Sequence, residues 1–310
     1  MKNIFEIAEK YKNHEIEATD AEYLEVSEAI KSLWGSADGR MELAQYVYEN
    51  VERYMIRTDI SQYIFQYKTY AATDKPVFKE RKKGLRAYWI APNSYTPKSQ
   101  NYDAQFTMSF DTLSIAPSCY QDDLTYGKVE SFSQLIADAG EAIQDAIDIR
   151  TYAVLKQTFS ATSNTDNYFP ISTAITETVL DDAINVVAES GVAGSISIVC
   201  RAKVAKAISK FTGFVSHQLS DAVKNEINTR GVIGHYSGCK VIILAEDDRH
   251  QIPTNFAFIV SEKIGYAATK LTNKIAQSTD SEDWSWTMKA DYEKGWVILH
   301  PDRMALIEIT

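Results

Sequence analysis

The sequence predicts an α+β fold built around one long helix, and three patterns along the chain support this prediction. Apolar residues recur at helical spacing through residues 1–60 and again through residues 128–159. Strict alternation of apolar and polar residues at 106–110 and 284–288 indicates β-strands with one buried face. Residues 175–270 mix short apolar strands with helices. A chain of 310 residues can form one large domain or two modest ones.

The composition is that of a globular protein with a strongly acidic balance. Hydrophobic residues make up 45% of the chain, charged residues make up 24%, and the formal net charge is −10. Such a chain repels a phosphate backbone, so a protein whose main task is to grip nucleic acid is not expected. Cys119, Cys200 and Cys239 form no CxxC pair and predict buried, reduced thiols. We expect no signal peptide and no membrane span.

Residues 1–60 predict acidic helices. Leu24, Ile30 and Leu33 recur at helical spacing, and a second apolar run follows the glycines at 35 and 39. Such a segment can pack on the body of the protein or reach out to a partner. The sequence leaves both options open.

Residues 75–104 stand out because they carry a local positive charge in an acidic chain. Prolines, Asn/Ser clusters and short aromatic-rich runs predict two extended strands around a long turn, projecting as an arm. A solvated hairpin is the simplest interpretation, and a contact role for its cations is the alternative. The candidate contact residues are Lys79, Arg81, Lys82, Lys83 and Arg86.

Residues 128–159 predict a single helix about 48 Å long, which we call the spine. We expect its apolar stripe to pack on strands that include Phe106, Met108 and the C-terminal MALIEI. Acidic residues lie on or near the other side, where a solvated face or a contact surface is expected. These residues are Asp138, Glu141, Asp145 and Asp148.

The stretch RGVIGHYSGCKVIIL is rich in glycine but lacks the spacing of a phosphate-binding loop. It leads into a strand, so we predict a strand–turn–strand unit with Gly231, Gly234 and Gly238 shaping the turn at positive φ. A Cys239–His235 dyad is possible on paper, although side chains four residues apart across a turn need not meet. We predict no catalytic residue, cofactor site or metal site in the chain.

The C-terminal region predicts strands again. In DWSWTMKADYE, the residues Trp284, Trp286 and Met288 alternate with polar residues and are expected to share one face. WVILH and MALIEI are further apolar strands on either side of a proline turn.

The order of these parts resembles the major capsid protein of tailed bacteriophages, the Hong Kong ninety-seven-type shell fold. NTRGVIGHYSGCKVII is similar to the axial-domain segment of that family, in which a glycine turn precedes a strand with the pattern Gly-x-x-Val. WTMKADYEKGWVILHPDRMALIEI is similar to its closing pair of peripheral strands. The resemblance covers residues 70–310, and the first 70 residues match only in forming a helical leading arm.

The resemblance implies a division of the chain into five segments. We expect an N-terminal helical arm at 1–74, an extended loop at 75–104 and a peripheral domain with the spine helix at 105–174. The axial domain then occupies 175–270, and the closing strands of the peripheral domain occupy 271–310. In this scheme the predicted glycines form an axial-domain turn near the centre of a capsomer.

The resemblance also implies a structural subunit, not an enzyme, that assembles into pentamers and hexamers of an icosahedral shell around double-stranded DNA. The expected partners are further copies of the chain, portal, scaffolding and decoration proteins, and DNA packaged without sequence-specific contact. No cofactor and no membrane are expected. The expected location is the virion capsid, after synthesis in the host cytoplasm. The basic arm should contact acidic surface on a neighbouring subunit, because opposite charges offset the self-repulsion of the chain.

Two alternatives stay open at this stage. An encapsulin-like cellular shell of the same fold would enclose cargo protein, and the contents of purified particles distinguish it from a viral capsid. A soluble α/β enzyme would form a small oligomer with titrating groups concentrated in one pocket, a pattern that the sequence does not show.

Overall fold

The computed structural model describes residues 4–52, 60–82, 102–190, 196–211, 234–244 and 252–309, which form an α+β fold as predicted. The α-helices of these residues are α1 (Ile4–Lys12), α2 (Ala21–Trp34), α3 (Ala37–Glu52), α4 (Ser61–Ile64), α5 (Gln121–Thr125), α6 (Val129–Thr158), α7 (Glu177–Glu189) and α8 (Ala202–Ile208). The strands are β1 (Phe65–Ala71), β2 (Val77–Lys82), β3 (Tyr102–Thr107), β4 (Phe110–Ile115), β5 (Ser118–Tyr120), β6 (Tyr168–Ile171), β7 (Ser197–Arg201), β8 (His235–Tyr236), β9 (Cys239–Leu244), β10 (Phe256–Val260), β11 (Gly265–Thr279), β12 (Ser285–Ile298) and β13 (Met304–Ile309).

Helix α6 is the predicted spine, a single helix of 30 residues. Its N-terminal half forms one core with α1, α2 and α3, in which Phe132 and Ile136 pack among fully buried residues such as Ile30 and Leu43. The described part of the N-terminal helices therefore packs on the body of the protein, because its apolar stripe is covered by the spine.

The first sheet has the strand order β1-β11-β12-β4, and β5 also pairs with β12. Strands β11 and β12 form a long antiparallel hairpin whose register runs from Gly265 opposite Ile298 to Thr279 opposite Trp286. The inward face of β12 lies in the same core as the N-terminal half of the spine, and its buried members are Trp286, Met288, Ala290 and Tyr292. The predicted boundary at residue 270 falls inside β11.

The second sheet has the order β6-β13-β10-β7-β9-β8. Helices α7 and α8 share a core with one of its faces, and the C-terminal part of the spine packs in a separate core with β10 and β13. Tyr152 and Leu155 lie there with Met304 and Leu306, so the expected contact between the spine and MALIEI is confirmed. The last strand thus lies in a different sheet from β12, although the prediction grouped both as closing strands.

Strands β2 and β3 form a separate two-stranded hairpin at the start of β11. Phe78 and Met108 pack with Ala268 and Val297, and Phe106 lies against the same cluster. This corrects the expectation that Phe106 and Met108 pack on the spine. They pack instead where β11 begins and β12 ends. The reason is that β3 leads directly into β4, and β4 begins at Phe110 opposite Gly295, near the C-terminal end of β12.

Candidate functional site

The basic segment, defined as Lys79, Arg81, Lys82, Lys83 and Arg86, begins on strand β2. The preceding residue, Phe78, anchors this strand by stacking on Tyr266 with ring centroids 4.7 Å apart. Alternation along the strand buries Phe78 and leaves Lys79 exposed. Arg81 and Lys82 follow on β2, whereas Lys83 and Arg86 lie outside the described residues.

The spine carboxylates, defined as Asp138, Glu141 and Asp145, are accessible from solvent. Asp138 and Glu141 are exposed and Asp145 is half-buried. The side-chain amide of Gln134 donates a hydrogen bond of 2.7 Å to Oδ1 of Asp138. All three can therefore face a partner molecule, and their contact with cations of a neighbouring subunit stays a prediction.

Asp148 differs from the other acidic residues of the spine because its side chain is 0% exposed. It lies on the buried stripe of the helix, one turn before Tyr152 and two turns before Leu155. Its Oδ1 accepts a hydrogen bond of 3.3 Å from the backbone N–H of Ile60. This corrects the predicted inter-subunit role of Asp148, since a neighbour cannot reach a carboxylate that the subunit itself encloses.

Asp148 belongs to a buried charge centre with Lys294 and Tyr67. Lys294 on β12 is 1% exposed, and its Nζ donates a hydrogen bond to the Tyr67 hydroxyl and lies 4.5 Å from the Tyr67 ring centroid. Burial lowers the pKa of Lys294 to about 7, and the charge of Asp148 acts in the opposite direction. The centre joins the spine, β12 and β1 through electrostatic contacts inside one subunit.

Sequence reasoning missed this centre, although the alternation of β12 contains a signal for it. The inward positions 286, 288, 290 and 292 are spaced by two, and the next position in that series is Lys294. Extending the alternation by one step therefore places a lysine in the core. A buried lysine keeps its charge more easily beside a buried acid, and Asp148 supplies that negative charge here.

A cavity of about 310 Å³ lies beside this centre, between β4, β12 and the spine. Its walls include Leu113, Ile147, Lys294 and Trp296, with Arg150 in an ion pair of 2.8 Å to Asp111. The lining residues include no histidine or cysteine. The cavity therefore brings together apolar walls and charged groups without a nucleophile–base pair of those residue types.

The glycine-rich stretch forms the predicted strand–turn–strand unit, but the turn lies at Ser237 and Gly238, and Gly234 precedes β8 instead of shaping that turn. Ser237 and Gly238 join β8 to β9 with φ values of 48° and 80°, which is the pattern of a two-residue type I′ turn. The carbonyl of Gly234 accepts a hydrogen bond of 2.8 Å from the backbone N–H of Val241. Gly231 lies outside the described residues, and a position near a capsomer centre stays a prediction.

The structure separates Cys239 from His235. Tyr236, not His235, is the register partner of Cys239, and Cys239 is buried whereas His235 is exposed. Burial raises the pKa of the Cys239 thiol, which disfavours the reactive thiolate. The turn therefore holds no activated thiol.

Within the described ranges, no group of three or more His, Cys, Asp or Glu residues is arranged to hold a metal ion. Among the helices of those same ranges, none combines the length and the hydropathy needed to cross a membrane.

A tip patch lies at the closed end of the β11–β12 hairpin and comprises Tyr120, Tyr126, Asp280, Glu282, Asp283 and Trp284. Trp284 is 65% exposed, Tyr120 is 67% exposed and Tyr126 is 66% exposed. The expectation that Trp284 shares the inward face of Trp286 is wrong, because Trp284 precedes β12 and has a positive φ of 53°. That left-handed backbone turns the indole out of the sheet.

Comparison with known proteins adds a family and a fold. The family described as "SPbeta prophage-derived putative capsid protein YonB" matches residues 1–266. No curated protein matches the chain.

Three solved structures show the fold that this chain shares. A chain of Gordonia phage Cozz has a TM-score of 0.59 at 12% identity, with 82% of this chain and 87% of that chain covered. A chain of Microbacterium phage Oxtober96 has a TM-score of 0.60 at 8% identity, with coverage of 82% and 92%. A chain in the capsid of the cyanophage P-SCSP1u has a TM-score of 0.54 at 13% identity, with coverage of 81% and 88%. At these identities the similarity shows the fold alone.

Proposed function

The chain belongs to the prophage-derived capsid protein family YonB and is a structural capsid subunit, and on this premise we propose that it assembles into pentamers and hexamers of an icosahedral shell around double-stranded DNA. The observation that carries the proposal is the family match over residues 1–266, and the fold shared with phage structures supports it. Portal, scaffolding and decoration proteins, DNA held without sequence-specific contact, and synthesis in the host cytoplasm complete the proposal.

The proposed division of labour within the subunit follows the family resemblance. The segment 1–74 is the N-terminal arm, 75–104 is the extended loop, 105–174 belongs to the peripheral domain and 175–270 to the axial domain. Of the closing strands, β12 pairs in the first sheet with the peripheral strand β4, whereas β13 pairs in the second sheet with the axial strand β10. The axial segment would surround the centre of each capsomer, with the turn at Gly238 close to it. The extended loop would overlap a neighbour.

The proposed contact between neighbours is electrostatic. A subunit with a net charge of −10 repels its copies, and cations placed against carboxylates of a neighbour offset that repulsion and fix orientation. Lys79 of the basic segment and the spine carboxylates Asp138 and Glu141 are exposed, as such a contact requires. Each exposed pair contributes only about 0–1 kcal/mol, so the contact depends on several pairs repeated around the shell.

The shell is tested by expressing the full chain and examining it by negative-stain microscopy. Closed particles are expected, and nuclease-protected DNA in particles from infected or induced cells distinguishes a viral capsid from an encapsulin-like shell filled with cargo protein. A small monodisperse oligomer under all assembly conditions would contradict the proposal and favour the enzyme alternative.

The charge contact is tested by the triple variant Lys82→Glu, Lys83→Glu and Arg86→Glu, which we expect to slow or abolish assembly. The matched control reverses three exposed lysines elsewhere and changes the net charge equally; these are Lys12, Lys31 and Lys206. Raised salt should weaken assembly of the unmodified chain in the same direction. Normal assembly of the first triple variant with poor DNA content would instead assign the basic segment to the genome.

A further inference from the structure

We propose that the tip patch is the docking site for the basic segment of a second copy of this chain. The proposal rests on the self-assembly proposed above and names the place on the neighbouring subunit that receives the cations. Exposed aromatic rings would hold the lysine and arginine side chains, and the surrounding carboxylates would neutralise them.

The first observation is the exposure of large aromatic side chains at one place. Trp284, Tyr120 and Tyr126 each leave about two thirds of their surface in water. Tyr120 and Trp284 are neighbours in the fold, because Tyr120 is the register partner of Ser285, and Tyr126 follows at the other end of the short helix that begins at Gln121. Exposed aromatic clusters of this kind mark interaction surfaces, and tryptophan and tyrosine are enriched among the residues that dominate binding.

The second observation is that the backbone holds Trp284 in place before any partner arrives. Its carbonyl accepts a hydrogen bond of 2.8 Å from the backbone N–H of Gln121. The side-chain amide of Gln121 also donates to the carbonyls of Asp280 and Ser285, at 2.8 and 3.0 Å. A turn whose backbone is already fixed by hydrogen bonds loses little backbone freedom on binding, which favours association.

The third observation is the charge around the rings. Asp280, Glu282 and Asp283 are exposed within the turn, and Asp122 is exposed on the adjacent helix α5. A cation over an aromatic face gains a favourable interaction, and neighbouring carboxylates add to it. The same pairing recurs inside the subunit, where the ammonium of Lys68 lies 4.1 Å from the ring centroid of Tyr266 and that of Lys270 lies 4.4 Å from that of Phe110. A cationic segment is therefore the partner that this surface fits.

The geometry directs this contact to a second chain. Phe78, next to Lys79, stacks on Tyr266 at the start of β11, whereas the tip patch follows Thr279 at the end of that strand. Thirteen residues of strand between them span about 43 Å. Lys79 therefore cannot reach Trp284 of its own chain. Complementary surfaces at opposite ends of one subunit produce head-to-tail contacts, which close into rings or continue as arrays.

The tip patch and the spine carboxylates can serve the same segment. The spine begins at Val129, close to the tip, because α5 leads directly from β5 into it. Asp145 lies sixteen residues later, about 24 Å along the helix axis. Eight residues, the number from Lys79 to Arg86, can span at most about 26 Å. One segment is thus long enough to meet the aromatic tip at one end and the spine carboxylates at the other.

The test compares two replacements of Trp284 in the full chain, Trp284→Leu and Trp284→Phe. Both keep an apolar side chain, but only phenylalanine keeps an aromatic face for a cation. Assembly is followed by light scattering and sedimentation, and a synthetic peptide of residues 75–86 serves as a probe and as an inhibitor. Trp284→Leu should weaken peptide binding about tenfold and lower the yield of shells, while Trp284→Phe should stay within about threefold of the unmodified chain.

Controls separate the docking site from folding and from the general proposal. Both variants should melt at the temperature of the unmodified chain, and Tyr120→Ala should reproduce the effect of Trp284→Leu. A peptide in which every Lys and Arg is replaced by Gln should not bind. If Trp284→Leu assembles and binds normally while the charge-reversed basic segment fails to assemble, the tip patch is excluded and the proposed function stands. If the unmodified chain forms no shells, the proposed function itself fails.

A direct measurement of the contact uses two cysteine variants that are mixed after separate purification. One chain carries Lys82→Cys and the other carries Glu282→Cys. Under oxidising conditions a disulfide-linked dimer should form in the mixture and not with either variant alone. A mixture that yields shells without this dimer overturns the docking site.

Discussion

Strand β12 has an aromatic ring and carboxylates near both of its ends, but within the described part of the chain a lysine joins them only near the C-terminal end. Near its C-terminal end, Lys294 lies over the Tyr67 ring and close to the Asp148 carboxylate, and the set is enclosed in one subunit. Just before its N-terminal end, Trp284 and the carboxylates of Asp280 and Asp283 face solvent. Among the described residues, no cation lies over Trp284.

The difference between the two ends teaches where such chemistry serves folding and where it serves association. A buried set must be complete within the chain, because an unpaired buried charge costs several kcal/mol. An exposed set is solvated in the free subunit, so a neighbouring subunit can supply the missing cation at a gain of about 1 kcal/mol or less per contact. Weak contacts of this kind become decisive only when a shell repeats them.

The largest difference in the free energy of unfolding is expected between variants of two tryptophans, Trp286 in the core and Trp284 in the tip patch. Trp286→Ala should lower the free energy of unfolding by about 3–5 kcal/mol, because it empties a fully buried position in the core under the spine. Trp284→Ala should change it by less than about 0.5 kcal/mol, since the indole is exposed. Urea denaturation of the two variants checks this, and equal losses would contradict the assignment of Trp284 to the surface.

Removing the buried carboxylate should have the next largest effect. Asp148→Ala leaves the buried backbone N–H of Ile60 without its acceptor and removes the negative charge near Lys294, and it should lower the free energy of unfolding by about 1–3 kcal/mol. The matched control, Asp138→Ala, removes an exposed carboxylate from the same helix and should cost no more than about 0.5 kcal/mol. Chemical denaturation of both variants measures the difference, and a larger loss at Asp138 would be evidence against the buried charge centre.

The buried lysine Lys294 should also make the stability of the protein depend on pH. The pKa of Lys294 is about 7 in the folded chain, against an ordinary value of 10.5. Between these values the unfolded state binds more protons, so the free energy of unfolding rises with pH across that window. Below about pH 7 both states are protonated and the destabilisation by the buried charge is complete.

Lys294→Met provides the comparison that isolates this effect, because all other titrating groups are shared. The stability of the unmodified chain should rise relative to Lys294→Met by on the order of a few kcal/mol between pH 7 and pH 10. Denaturation curves at several pH values measure it. Parallel pH profiles for the two proteins would show that Lys294 keeps its ordinary pKa in the folded state.

The smallest effect is expected at a single carboxylate of the tip. Asp283→Asn keeps the oxygen that accepts a hydrogen bond of 3.0 Å from the backbone N–H of Ser285 and removes only the charge. Assembly should weaken by about 1 kcal/mol or less per contact, and the difference should vanish at high salt. Light scattering across a salt series tests this, and a salt-independent defect would point to the turn geometry instead.

The local pattern of the chain was sufficient to predict those elements whose periodicity is long and regular. The spine follows from an apolar stripe that continues through residues 129–155, and the inward face of β12 follows from alternation. The resemblance in the C-terminal half led to the capsid fold and to the structural role, which the family match over residues 1–266 supports. The strand–turn–strand unit at Gly238 follows from turn chemistry alone.

The sequence by itself determined the long periodic elements, the acidic balance and the resemblance to capsid proteins, because these depend on residues that are close together in the chain or on the chain as a whole. Only the tertiary structure decided which exceptions to the pattern are buried. Asp148 and Lys294 are 146 residues apart in the sequence, and only the packing of the spine on β12 brings their side chains close together. Trp284 continues the alternation of Trp286, yet a positive φ turns it to solvent. The last strand joins the second sheet because the spine packs against β10 and β13 in one core, a long-range contact that no local period contains.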